Sequence, residues 1–348
     1  MSPLRSIITR SAREKKRIVS FLRLFSLLIL GAGHTAYLYA ADHAAGDSAT
    51  TENKAAERLL MQGRIDEAVA TLQRVVGANP KNGQAHLLLC RSFYAEKHQD
   101  DAVTACENAV QILPRSSEAQ DWLGRAYGMK AEQAGPIGGF ALARKVRAAF
   151  ETAVQLDSMN GPAVNDLSEF YIAAPALIGG GQDKATALAD RVQTQLPQQA
   201  HRIRALAAEK RKDYGTAERE FMAAANVAMC PDAQVDLGAF YARRSQRGRA
   251  VDTLKQCLAT DRSRDATIVD AASILTNMHL EPQLAVQTLH QYLLSDAKSD
   301  AAPVIKVHVM LGKILAASGN KMGAKIEFDN ALELARSYAS AEQALQQL

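Results

Sequence analysis

The sequence predicts an all-α protein: a solenoid of about eight helix-turn-helix repeats closed by a C-terminal capping helix. Three observations predict it. The chain is rich in Ala and Leu, with only nine Phe and nine Tyr among 348 residues, a composition that favours helix over strand. Residues recur at a fixed interval: Ala68, Leu72 and Pro80 return as Ala102, Cys106 and Pro114, and Leu89 and Phe93 as Leu123 and Tyr127, each 34 residues later. Small residues (Gly124, Gly238, Gly312, Ala102, Ala250, Ala324) stand where two antiparallel helices must come close.

The chain opens with a charged segment. Residues 1–23 hold seven basic residues against Glu14, so of the total charge of +4 they contribute +6 and the remainder is −2. A basic stretch, the apolar run Leu24–Leu30 and the small-residue exit Ala40-Ala41 together make an export signal. Residues 1–41 are therefore expected to be a signal peptide or, since the basic stretch is long, an N-terminal membrane anchor. Either places the rest outside the cytoplasm, in the periplasm or beyond. The slightly acidic remainder gives no electrostatic footprint for nucleic acid. Residues 42–51 read as a flexible lead-in, and 52–348 as the repeat domain.

Within that domain each apolar stripe at i, i+4 lies on one helical face. A lone hairpin would leave its second apolar face in water, and stacking hairpins buries it. Pro80, Pro114 and Pro197 are expected where a second helix ends, because proline cannot continue a helix. The pattern Leu123-Gly124-x2-Tyr127, with Leu237-Gly238-x2-Tyr241 and Leu311-Gly312 followed by Ala324, Phe328 and Ala331, resembles the tetratricopeptide repeat family. Weaker matches sit at Leu167-Ser168 and Leu206-Ala207, and about eight units span residues 49–338. That resemblance implies a right-handed solenoid. Trp122 adjoins Leu123 instead of preceding it by three, so it departs from the family pattern and reads as a packing residue. Ser340–Leu348 is expected to extend the final helix as a cap.

Two units are longer than the rest. Leu123 to Leu167 is 44 residues and Leu167 to Leu206 is 39, and both insertions should fall at the turn between paired helices. They contain Gly135–Phe140 and Ala174–Gly181, Gly-rich and apolar, so they either pack on each other or form a lip over the groove. No Gly-Lys-Ser/Thr follows either run, which argues against a phosphate loop. The stretch from Gly135 to Ala185 also resembles a group of exported bacterial repeat proteins.

Four cysteines in an exported chain invite pairing. Cys90 with Cys106, and Cys230 with Cys257, each lie in the two helices of one unit, so two local disulfides are expected; the competing reading is four small buried fillers. Chemistry has no visible motif. No His-Glu-x2-His, short-spaced Cys/His cluster or Gly-x-Ser-x-Gly occurs, and His86 and His98 read as surface or helix-end residues. The expectation is a non-enzyme without cofactor or metal.

In the family resembled, the first helix of each unit lines a concave groove that holds a peptide or partner helix. Counted from the Leu-Gly sites, the groove residues here are Arg91, Tyr94, Asp121, Arg125, Asn165, Glu169, His201, Arg204 and Lys313. Arg91 and Arg125, one repeat apart, should stand side by side and hold a carboxylate. The bland alternative is a solvated charged face. The leading expectation is an exported scaffold that binds an unknown protein or peptide in the cell envelope. The second is a small-ligand-binding or transporter-accessory protein.

Overall fold

A computed structural model describes residues 51–348 apart from 228–230 and 262; the segment 1–50, which carries the export signal and lead-in, lies outside the described residues. Seventeen α-helices are present among the described residues, with no strand. Sixteen pair into eight hairpins. Unit one is α1 (Thr51–Met61) and α2 (Ile65–Ala78); unit two is α3 (Gly83–Glu96) and α4 (Gln99–Ile112). Unit three is α5 (Ser117–Gln133) and α6 (Pro136–Leu156); unit four is α7 (Gly161–Ala173) and α8 (Gln182–Val192). Unit five is α9 (Pro197–Lys210) and α10 (Tyr214–Asn226); unit six is α11 (Pro231–Arg243) and α12 (Arg247–Thr260). Unit seven is α13 (Ala266–Asn277) and α14 (Pro282–Leu294); unit eight is α15 (Val304–Ala317) and α16 (Lys321–Leu334). α17 (Ala339–Gln346) follows as the cap. The fold is an α-solenoid of helix hairpins.

The small residues do what their size demands. A Cβ added to Gly124 would stand 2.4 Å from the Phe150 ring, one on Gly312 would stand 2.4 Å from Phe328, and one on Gly238 would stand 2.7 Å from Leu254. In these three hairpins one large second-helix side chain thus packs directly on a first-helix backbone. Asn82, Ser116 and Asn160 start α3, α5 and α7 by accepting a hydrogen bond from the backbone N–H three residues on. In unit two, Cys90 and Cys106 are joined, with Cα atoms 5.1 Å apart, inside the usual disulfide range. Cys230 lies outside the described residues. Cys257 is buried with Sγ 3.4 Å from the Pro231 carbonyl.

Four local expectations change. Gly135–Phe140 is no loop, because Pro136 supplies the first turn of α6, where its missing N–H is harmless. The extra residues instead lengthen the hairpin, to 17 residues in α5 and 21 in α6 against 14 in each helix of unit two. Pro197 opens α9 for the same reason instead of closing α8. The cap is a separate helix, since backbone turns at Ala335–Tyr338 break it from α16. His86 is buried, its Nε2 3.1 Å from the Pro80 carbonyl. The Ala174–Gly181 insertion does form a turn, built on a short 3-10 helix at Ala176–Ile178. Gly179, at φ 92°, lies under the Arg147 side chain of α6, so this turn packs on the preceding unit, with Leu177 left exposed.

The array also closes on itself. Gly63, in the α1–α2 turn, is buried against Val304 at the start of α15, where an added Cβ would stand 2.7 Å from the Val304 Cβ. The Arg336 backbone N–H donates to Asp66 at 3.2 Å, Lys97 to Ser340 at 3.4 Å, and Ser337 to the buried Glu96 at 3.5 Å. The last unit therefore seats its loop ends on the turn edge of units one and two. One apolar core runs from Ala56 through unit four and takes in Ile305, Val309, Phe328, Ala331, Tyr338 and Ala344. That core reaches Ala200 and Ile203 of α9; beyond them units five to seven hold smaller apolar clusters, one of which joins unit seven to Val307, Leu311 and Ile314 of unit eight.

Candidate functional site

The inner face of the array carries one charged residue per unit in a ladder: Glu57, Arg91, Arg125, Glu169, Arg202, Asp236, Asp270 and Lys306. Pairs along it are about one repeat apart: Glu57 and Arg91 by 34 residues, Glu169 and Arg202 by 33, Arg202 and Asp236 by 34. In these three pairs a first-helix residue meets the equivalent residue of the next unit, because stacked hairpins place equivalent positions side by side.

The contacts are short and mostly out of water. Arg91 lies 2.6 Å from Asp300, 3.1 Å from Glu57 and 3.6 Å from Glu118. Arg125 lies 2.6 Å from Asp166 and 2.9 Å from Asp121. Arg202 joins Glu169 at 2.7 Å to Asp236 at 2.8 Å. Trp122 fills the space between the first two arginines, its ring 6.0 Å from the Arg91 guanidinium and 4.7 Å from that of Arg125, with Tyr94 edge-on at 5.4 Å. Its packing role includes sandwiching two cations, which sequence position alone does not reveal. Arg91, Arg125, Glu169 and Arg202 are each less than 9% exposed.

Burial sets the electrostatics. Desolvation opposes the charge on Arg91, Arg125 and Arg202, yet their carboxylate partners outweigh it and hold all three above the ordinary arginine range. The carboxylates fare differently. Burial raises Glu169 to about 7 against the pull of Arg202, and Asp232 to about 7 against a hydrogen bond from Thr267. Asp270 rises to about 8 by burial, with Lys306 opposing, while Lys306 itself is lowered by burial. The second oxygens of Glu169 and Asp232 have no hydrogen-bond partner among the described residues, so their desolvation is offset only through the first oxygen.

The sequence-derived groove separates into two halves. Arg91 and Arg125 flank Trp122 with Tyr94 and Asp121 beside them, and Asn165 and Glu169 are buried on α7, so these six are not an open groove. Arg91 and Arg125 hold carboxylates of their own chain. From α9 onward the count slips. Arg204 turns to Asp190 at 2.8 Å and Gln193 at 2.7 Å, His201 pairs with Glu220 at 2.8 Å, and Lys313 is exposed. The inner residues there are Arg202, Asp236, Asp270 and Lys306. Arg125 follows Gly124, whereas Asp236 precedes Gly238 and Lys306 precedes Gly312 by more than a turn, so the inner line creeps toward the helix N-termini. Charges recurring near 34 residues are the signal that finds these four.

A cleft of about 460 Å³ lies elsewhere, lined by Leu258, Ala259, Asp261, Arg264, Ile268 and Gln291. No group of three or more His, Cys, Asp or Glu residues able to hold a metal ion occurs among the described residues. No described helix is long and apolar enough to cross a membrane.

Residues 59–126 match the tetratricopeptide repeat model, so the chain contains tetratricopeptide repeats. No curated protein matches it by sequence. Among solved structures it is similar to TTC0263, a thermophilic tetratricopeptide-repeat protein of Thermus thermophilus, at 18% identity and TM-score 0.43, covering 65% of this chain and 97% of that one. It is also similar to the APC/C assembly Cut9–Hcn1 at 14% identity and TM-score 0.36, covering 84% of this chain and 54% of that one, so it spans about half of that relative. A human IFIT1 dimer with m7Gppp-AAAA is similar at 15% identity and TM-score 0.40, over 78% and 68%.

Proposed function

We propose, taking its tetratricopeptide repeats as the premise, that this chain is an exported scaffold that binds a protein partner in the cell envelope. The observation that carries the reading is the eight-hairpin array, because such repeats serve generally as protein-interaction scaffolds. The basic stretch and apolar run of residues 1–41 support the envelope location, and the chain is a binding protein, not an enzyme. Arg91, Arg125 and Arg202 are taken up by carboxylates of the chain itself, so this reading looks to the outer edges for the contact. Photo-crosslinking in the native host, with fractionation and N-terminal sequencing, tests both parts. A defined envelope protein crosslinked at discrete positions is expected; a cytoplasmic location or the absence of any specific adduct removes the reading.

A second reading, small-ligand binding or transporter accessory, has one observation in its favour. The cleft beside Asp261 has the volume of a small-molecule site, and one Asp261 oxygen is buried without a hydrogen-bond partner among the described residues. A ligand-dependent rise in Tm without any protein partner would favour it.

A further inference from the structure

The turn edge of the solenoid divides by charge and by cover. In units one and two it carries Asp66, Glu67, Asp100 and Asp101, and the last unit sits on it, with Arg336 against Asp66 at 3.6 Å. In units five and six the same edge is basic. The turn from Arg243 to Arg249 holds four arginines and no acidic residue, and Lys210-Arg211-Lys212 forms the turn before it. No described part of the chain is seated over this stretch as unit eight is seated over units one and two.

These cations form one continuous strip. Arg211 reaches back to Gln182 of unit four at 3.3 Å, Arg243 to Glu209 of unit five at 2.8 Å, and Arg247 forward to the Met278 carbonyl of unit seven at 2.9 Å. The Arg244 guanidinium lies flat on the Tyr214 ring at 3.5 Å, which fixes it at the surface. The local acids are engaged: Glu209 holds Arg243, Glu218 holds Arg249 and Tyr241, and Asp213 caps α10. Lys210, Arg211, Lys212, Arg219, Arg244 and Arg247 remain exposed and form no ion pair among the described residues, Asp213 being the one acid that faces Arg219 and Arg211. They are concentrated here although the chain beyond residue 23 is net −2.

We propose that this strip docks an extended acidic segment of the partner protein. The proposal rests on the scaffold reading and names the partner's chemistry. The shape argues for a chain over a flat surface, since the cations follow a line of successive turns. Packed helices repeat about every 10 Å, and an extended strand advances about 3.3 Å per residue. Carboxylates at roughly every third residue therefore meet successive units. Guanidinium groups match carboxylates in a two-point fork, and the exposed strip makes binding sensitive to salt.

The test uses a labelled peptide of about 15 residues with glutamate at every third position and serine between. A control peptide has the same composition with the glutamates grouped at one end. Fluorescence anisotropy at low salt should show the spaced peptide binding, several-fold tighter than the grouped one. The double variant Lys212→Glu/Arg244→Glu should weaken it about tenfold or more, while Arg74→Glu, an exposed change on α2, should not. All substituted side chains are exposed, and an unchanged Tm confirms folding. No binding, equal weakening by Arg74→Glu, or sedimentation with phosphatidylglycerol vesicles in place of peptide binding overturns the strip. Crosslinking separates the two readings. A partner captured equally by wild type and the double variant overturns the strip and leaves the scaffold. A spaced peptide that binds without any host adduct supports the strip and removes the scaffold.

Discussion

Two arcs of the same solenoid are built from the same hairpin and differ in what holds them. Unit eight and units one to four share one apolar core, pinned by ring-on-glycine contacts at Gly124 and Gly312 and by the seam between Gly63 and Val304. Units five to seven are joined to those units at their two ends, through Ile203 and through Leu311, hold smaller clusters between, and lean on the charge ladder through Arg202, Asp236, Asp270 and Lys306. The first arc uses its turn edge to close the molecule, and the second leaves that edge free and basic. Identical architecture can thus be spent on closure in one place and left available in another. Smaller cores also predict local opening, and amides of α9–α14 should exchange by smaller openings than those of α3–α7.

The most direct test of that contrast is the seam. Arg91→Ala leaves Asp300 and Glu118 facing each other without their cation, and because Asp300 is largely buried and Glu118 half-exposed the loss is about 1–3 kcal/mol. Tm should fall by several degrees, and small-angle scattering should show a longer particle as the ends part. An unchanged particle dimension means that the seam is held by its apolar contacts alone. Reducing Cys90–Cys106 removes a cross-link over 16 residues, which in the chain-entropy model contributes about 3 kcal/mol. Melting with and without reductant, beside thiol counting on the unfolded chain, checks this; four free thiols under both conditions would refute the bond.

A paired glycine substitution sharpens the comparison further. Gly124→Ala drives a methyl into the Phe150 ring, which is fully buried and cannot yield. Overpacking of this kind destabilises by about 1–3 kcal/mol. Gly238→Ala meets Cδ2 and Cγ of Leu254 at 2.7 and 2.8 Å, an aliphatic chain equally buried but able to turn about χ2 as a ring edge is not, and alanine is the better helix former by about 1 kcal/mol. Urea denaturation should find the first clearly destabilised and the second near neutral. Equal losses would mean that both arcs are packed to the same stiffness.

A further test concerns pH. Folding raises Glu169, Asp232 and Asp270 to about 7, 7 and 8, above the ordinary carboxylate range. Between those limits the folded state holds more protons than the unfolded chain, so stability falls as pH rises. Lowering pH from 8 to 6 should raise Tm, with up to about 1 kcal/mol per pH unit from each group. Asp232→Asn with Asp270→Asn should flatten the slope, because both residues stand in the second arc. A Tm that instead climbs toward pH 8 would show these acids ionised in the fold.

Most of the hairpin pattern was legible in the sequence, as was the placing of Arg91 and Arg125 one repeat apart on successive first helices. Their occupancy by carboxylates of the chain itself was not, since Asp300 reaches Arg91 from 209 residues away. The count from Leu-Gly sites missed Arg202 and Lys306 because the inner line shifts along the helices as the array winds. Gly135-Pro136 looked like a loop because its residue types suit both a turn and a helix start, and only the length of α6 decides between them.

What the sequence determined by itself is everything that depends on neighbours: small residue against large, one apolar stripe per helix, one charge per unit at a spacing near 34 residues. Whether the array stays open is a sum over eight inter-unit rotations, each small and none written in a single unit. Tertiary structure decided that the sum returns unit eight to unit one. That closure buries one charged face and, by covering one acidic edge, leaves the basic edge opposite for something else.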